Sequence, residues 1–234
     1  MNKFWKIKAL ADGEAEILLY EFIGEDFFGQ GMGAKQFHDE LKALGDISKI
    51  IVRINSPGGD VFDGNTIYNI LKAHKAQVEV HIDGIAASIA SVIAMAGDKI
   101  IMPENAMMMI HNPWGFAVGD AAEMRKMADA LDKIRESIVV SYRAQTDLDE
   151  KRLFEMMDEE TWMTAADAVE LGFADEMIES VKAAASFKMD YFKNVPLAVK
   201  DPLELRDPQP TANEEMKRVA ASRRRTLELL AAEI

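Results

Sequence analysis

The chain contains no cysteine. That excludes disulfides, thiolate nucleophiles and cysteine-ligated metals, and it suits a reducing compartment. Long hydrophobic runs are missing too. The longest weakly polar stretch, residues 84–97, is rich in alanine and falls short of the ~20 apolar residues a membrane-spanning helix needs. The opening Met1-Asn2-Lys3-Phe4-Trp5-Lys6 leads into alternating charge rather than an apolar core, so no secretion signal is expected. Positive charge is in deficit: 27 Lys and Arg stand against 40 Asp and Glu, a net charge of −13. A body this acidic is not expected to wrap nucleic acid. What is present is ordinary for a chain that buries a core, with 49% hydrophobic and 29% charged residues, so disorder throughout is excluded. A length of 234 residues allows one large domain, or one domain with an appendage.

Proline is scarce and unevenly placed. Four of the seven, Pro196, Pro202, Pro208 and Pro210, fall in one short segment. Proline fixes φ and removes a donor, so residues 196–210 read as an extended linker. Thr211-Ala212-Asn213-Glu214 then has the pattern of a capping box, and residues 211–234 read as a helical tail. Residues 197–234 carry seven positive and seven negative charges, so the whole net charge sits on the body, residues 1–195. Arg223-Arg224-Arg225 is flanked by glutamates and reads as a solvated helix face rather than a nucleic-acid site. The 15 methionines fall largely at core spacing and imply no cofactor.

Within the body the hydrophobic period alternates. Residues 49–55 read as a buried strand stopped by Ser56-Pro57-Gly58-Gly59, and residues 60–75 as a helix. Residues 77–82 alternate as a strand that Gly84 is expected to break, and residues 88–96 read as a helix of small apolar side chains. Residues 99–102 and 106–110 read as strands. Residues 120–146 read as a long helix with Met124, Met127, Leu131, Ile134 and Ile138 in one stripe. Repeated strand-then-helix units argue for an α/β fold with crossover connections.

Chemistry-bearing residues gather at the strand ends. Ser88, in Gly84-Ile85-Ala86-Ala87-Ser88, sits at a strand-to-helix turn of tiny residues. Such a turn exposes a hydroxyl and points backbone N–H groups where an oxyanion would develop. Helix capping is the plain alternative for a serine here. Among the four histidines, His38 lies in a polar helical stretch, His74 near a helix end and His81 on an alternating strand. His111 follows the apolar strand and precedes Asn112-Pro113, where active-site groups collect in α/β folds. A neutral imidazole there would accept the serine proton. A carboxylate to orient it is offered by Asp158, Glu159 and Glu160, and spacing alone does not choose among them. An acidic run of this kind usually does no more than favour the N-terminus of a following helix. Gly58 and Gly59 leave the backbone open to another chain, or make an ordinary turn.

In order and approximate spacing, Ile54-Asn55-Ser56-Pro57-Gly58-Gly59, Gly84-x-Ala86-Ala87-Ser88, Met109-Ile110-His111-Asn112-Pro113 and Thr164-Ala165-x-x-Ala168-x-x-x-Gly172 resemble the ClpP family of serine peptidases. The resemblance implies a spiral of ββα units, as in the crotonase superfamily, with the long helix as the handle that joins stacked rings. It implies Ser88 as nucleophile, His111 as general base and Glu160 as the third member. The family norm at that last position is aspartate. It places the oxyanion hole at the backbone N–H groups of Gly59 and Ile89, and extended peptide beside Gly58 and Gly59. No metal or cofactor is implied. A ring-shaped homo-oligomer is, and whether an ATPase partner is needed stays open. The wording of residues 56–64 and 159–165 is similar to the ClpP-related head maturation proteases of tailed phages and prophages. That similarity implies capsid and scaffold proteins as substrates and the bacterial host cytoplasm, or the prohead, as location. Two other readings are a crotonase-type acyl-CoA enzyme, which needs no Ser/His pair, and a catalytically inert ClpP-like assembly protein. A Ser/Lys peptidase would need a membrane segment or a lysine base, and neither stands out. Ser91, one helical turn beyond Ser88, is expected to be dispensable for the chemistry.

Overall fold

In a computed structural model, residues 3–24, 33–180 and 192–196 are described. The expected linker from 197 onward, the capping box at Thr211 and the helical tail lie outside the described residues. The chain divides into two units, Met1–Val195 and Pro196–Ile234.

Among the described residues, eight strands form one sheet. β1 (Trp5–Ala9) and β2 (Glu14–Leu19) make an antiparallel hairpin. Asp12 and Gly13, both in the left-handed region, turn the chain between them. After α1 (Ala34–Ala43) come β3 (Lys49–Ser56), α2 (Val61–Lys72), β4 (Gln77–Ala87), α3 (Ile89–Ala94) and β5 (Lys99–Pro103). β2, β3, β4 and β5 pair in parallel, as crossover helices require. β6 (Met107–Ile110) leads through an aromatic loop to α4 (Ala121–Arg143) and α5 (Glu150–Asp158). β7 (Thr161–Thr164), α6 (Ala165–Glu170) and β8 (Glu176–Ile178) complete the described body. The spatial order is β1-β2-β3-β4-β5-β8, with β6 on the far half of β4 and β7 beside β6.

The alternation expected for residues 77–82 is present, with Val78, Val80 and Ile82 buried on one face. Gly84, however, does not end the strand. β4 continues to Ala87 and changes partner: Glu79, Val80 and His81 pair with β5, whereas Ile85, Ala86 and Ala87 pair with β6. The strand accommodates this through a register shift against β3, where Ile54 faces Ile82 but Ser56 faces Ala86. Asn55 Oδ1 accepts the Ile85 N–H at 3.2 Å across the irregularity, so the buried donor is satisfied. Just before it, Arg53 and Tyr20 both donate to Asp83, clamping three neighbouring chain segments. Burial, then that carboxylate, pushes the Tyr20 hydroxyl up to about 12.

The helices follow from their caps. Asp60 accepts from the N–H groups of Phe62 and Asp63 to start α2. Asp120 and Glu123 form a reciprocal capping box that starts α4 where the apolar stripe begins. Every side chain of α3 is buried, which explains its run of small and aliphatic residues. α4 is different: only Ile138, Val139, Ser141 and Tyr142 are buried, all in its last two turns.

Candidate active site

Ser88 stands between β4 and α3 with φ 56° and ψ −130°. A non-glycine residue held there stores about 1–3 kcal/mol of strain, which the surrounding contacts must overcome. Three bonds hold it: the Ser88 N–H donates to Met109 O at 2.9 Å, and its carbonyl accepts from Ser91 N (3.0 Å) and Ser91 Oγ (2.6 Å). Ser88 occupies the N-cap position but its side chain makes no capping bond. Its Oγ lies instead 2.8 Å from His111 Nε2. Parallel pairing of β4 with β6, Ala87 opposite Met109, brings the ends of the two strands to this meeting point.

His111 is largely enclosed. Burial, first, pushes its imidazole down to about 4; Glu160 pulls it up and Lys193 pushes it down again. The ring is therefore neutral throughout the neutral range and has a lone pair to offer the Ser88 proton. The other histidines are elsewhere. His74 Nδ1 accepts the Ala76 N–H, His81 pairs with Glu79, and His38 is exposed on α1. His38 and His74 line a groove of about 500 Å³ between α1 and α2 that contains neither Ser88 nor His111.

The acidic run ends a helix rather than preceding one, contrary to the simple expectation. Asp158 closes α5, Glu159 caps it, and Glu160 has φ 51° in the left-handed region. This reversal turns Glu160 inward, where it is 7% exposed and attracts His111 electrostatically. No hydrogen bond joins the two among the described residues. The Glu160 carboxylate accepts from Trp162 Nε1 (3.3 Å), Lys193 N (2.9 Å) and Asn194 N (2.6 Å). Asp158 is turned away. It accepts from Asn112 Nδ2 at 2.8 Å and pairs with Arg135 at 2.9 Å, and these hold its carboxyl below the usual range.

Gly58 and Gly59 do not form a turn. The segment runs extended beside Ile23, whose N–H donates to Gly58 O and whose carbonyl accepts from Asp60 N, each at 2.8 Å. Glycine is required because a Cβ on Gly58 (φ 102°) would lie 2.6 Å from Ser88 Cβ, and one on Gly59 2.0 Å from Ile23 O. One side of the segment is thus filled by the chain itself. By strand alternation the Gly59 N–H points to the other side. There Gly59, Ser88 and His111 share a pocket of about 250 Å³ walled by Phe22, Pro57, Val61, Trp114, Phe116 and Phe192. Ile89 opens α3 next to Ser88, and Gly64 of α2 fits against it so closely that a Cβ would come within 2.2 Å of Ile89 Cγ1.

Ser91 does more than the sequence suggests. Its Oγ bonds both Ser88 O and, at 2.8 Å, the hydroxyl of fully buried Tyr142 on α4. Burial pushes the Tyr142 hydroxyl well above the ordinary tyrosine range. Ser91→Ala is expected to lower stability by about 1–3 kcal/mol by stranding that hydroxyl. A lower urea midpoint with an unchanged m-value checks it; an unchanged midpoint contradicts it. Phe192, Lys193, Asn194 and Tyr142 also escape sequence reasoning. Nothing in their local pattern marks them; Trp162 alone falls inside a recognised motif.

The Clp protease family profile matches residues 16–181. The chain is 31% identical over 137 residues to an ATP-dependent Clp protease proteolytic subunit from Deinococcus radiodurans, covering 57% of this chain and 67% of that one. It is 33% identical over 134 residues to a subunit of the same name from Bacteroides thetaiotaomicron, covering 55% and 60%. The chain thus spans about two thirds or less of these two relatives' length. The structure of a ClpP1 variant from Listeria monocytogenes superposes with a TM-score of 0.60 at 28% identity, covering 70% of this chain and 91% of that one. Since the profile runs from β2 through β8 and so takes in both Ser88 and His111, the chain belongs to the Clp protease family of serine-type peptidases.

Proposed function

We propose that the chain is a ClpP-type serine endopeptidase that cleaves capsid and scaffold proteins during phage head maturation. The observation that carries the chemistry is the 2.8 Å contact between Ser88 Oγ and His111 Nε2 on a strained, tightly held elbow. Extended peptide lies along the free side of Gly58 and Gly59 by strand addition. Ser88 Oγ attacks the scissile carbonyl while His111 Nε2 takes its proton. The N–H groups of Gly59 and Ile89 receive the oxyanion. Collapse of the tetrahedral intermediate passes the proton from His111 to the leaving amine, and water repeats the sequence to free the acyl group. Glu160 stabilises the imidazolium formed in each half. A crotonase-type acyl-CoA enzyme would have no use for the Ser88–His111 pair.

Assembly follows from α4. Its first four turns bury no side chain and leave Met124 42% exposed, so the helix suits a partner surface in a ring-shaped homo-oligomer. Among the described residues no helix is long and apolar enough to cross a membrane. The proposed setting is the bacterial host cytoplasm. The substrate assignment rests on the likeness of residues 56–64 and 159–165 to phage and prophage proteases. Mass spectrometry of capsid and scaffold proteins co-expressed with this chain, or with Ser88→Ala, tests it. Serine-dependent trimming of either protein is expected. Peptide hydrolysis in vitro with both proteins left intact overturns the substrate and leaves the peptidase standing.

A further inference from the structure

Residues 192–194 lie directly on the proposed triad. The Phe192 ring is 5.4 Å from the His111 ring and 5.8 Å from Trp162, edge to face in both cases, and is 8% exposed. It forms part of the wall of the pocket that holds Ser88. The next two backbone N–H groups each take one oxygen of Glu160: Lys193 on Oε2 and Asn194 on Oε1. Asn194 Nδ2 fastens the segment to Glu159 O at 2.7 Å.

A Ser–His–acid triad works when the acid accepts the N–H of His Nδ1, which fixes the tautomer and stabilises the imidazolium. Here the nucleophile–base contact is formed, but the acid's bonds go to the backbone of residues 193–194 and to Trp162. Two N–H donors on one buried carboxylate are strong competitors for a single imidazole.

We propose that residues 192–194 are an inhibitory latch: they hold Glu160 away from His111 and cover the imidazole, and their release completes the triad. The inference rests on the serine-peptidase reading. The charged groups that act on His111 are Glu160, from the turn between α5 and β7, and Lys193, from the latch itself; the Ser88 hydroxyl faces its other side. The latch opposes imidazolium formation in three ways. Phe192 keeps water off the ring, Lys193 adds a repelling charge, and the backbone donors spread the Glu160 charge over themselves. Release reverses all three, so the histidine becomes more basic and the rate rises.

The test uses the full chain with Asn194→Pro, which deletes one backbone donor and the side-chain amide, and with Phe192→Leu, which keeps the burial but removes the ring contacts. Peptide hydrolysis is measured against pH, with thermal melting to show that each variant is folded. The latch is expected to yield a rise in kcat of about ten-fold or more, with Phe192→Leu smaller than Asn194→Pro. The lower limb of the pH–rate profile is expected to move up toward the ordinary histidine range. Fluorophosphonate labelling of Ser88 is expected to quicken in parallel. Folded variants that are no faster than wild type, or slower, with an unmoved pH limb overturn the latch alone. In that case the segment braces Glu160 instead. Absence of labelling and hydrolysis in wild type and every variant overturns the peptidase reading and the latch with it.

Discussion

Ser88→Ala is expected to lower kcat/KM for peptide hydrolysis by about 10³-fold or more and to remove fluorophosphonate labelling, while the chain stays folded. The size follows from what the hydroxyl does. In the proposed mechanism it supplies the electron pair for the new bond, and no other side chain meets His111 at hydrogen-bond distance among the described residues. Any remaining hydrolysis would come from the oxyanion donors acting on bound substrate. The fold is spared because the elbow is held through the Ser88 backbone, by Met109 and Ser91, and not through its Oγ. Only one side-chain hydrogen bond is lost, about 1 kcal/mol. Melting curves and labelling of wild type and variant, read side by side, decide it. Cleavage by Ser88→Ala at the wild-type rate would end the serine-peptidase reading.

Glu160→Gln is expected to reduce kcat by about 10²- to 10⁴-fold, since an amide does not stabilise the imidazolium as a carboxylate does. The comparison is sharpest in the Asn194→Pro background, where one of the two competing backbone donors is gone. Asp158→Asn is expected to change the rate far less. Its side chain is 57% exposed and bound to Asn112 and Arg135 rather than to His111. Glu160→Gln also sets an amide N–H₂ against the N–H of Lys193 or Asn194, so a stability loss of about 1–3 kcal/mol accompanies the rate effect. The pH dependence separates the two effects, because a structural loss leaves the histidine limb in place. If Asp158→Asn proves the crippling change and Glu160→Gln the mild one, the acid has been assigned two positions too late.

Local pattern by itself determined a good deal of this protein. The β-rich runs around residues 49–55 and 77–82, the small-residue helix after Ser88 and the capped helix after Asp120 all have periods or caps that a short window contains. Ser88 and His111 are legible for the same reason, since each sits where an apolar strand stops. The order of four motifs then points to the Clp protease family. Tertiary structure decided the rest. Gly84 does not break β4, because Asn55 from the neighbouring strand satisfies the backbone at the register shift. The two glycines are required by Ser88 and by Ile23, which lie far from them in sequence on either side, rather than by a turn of their own. Which of three adjacent carboxylates turns inward depends on a left-handed residue after α5, and what that carboxylate touches depends on a segment 33 residues further on. Periodicity records which face of an element is buried, because burial is a property of each residue in turn. A hydrogen bond between distant residues leaves no such period, since its energy depends on where folding brings both ends.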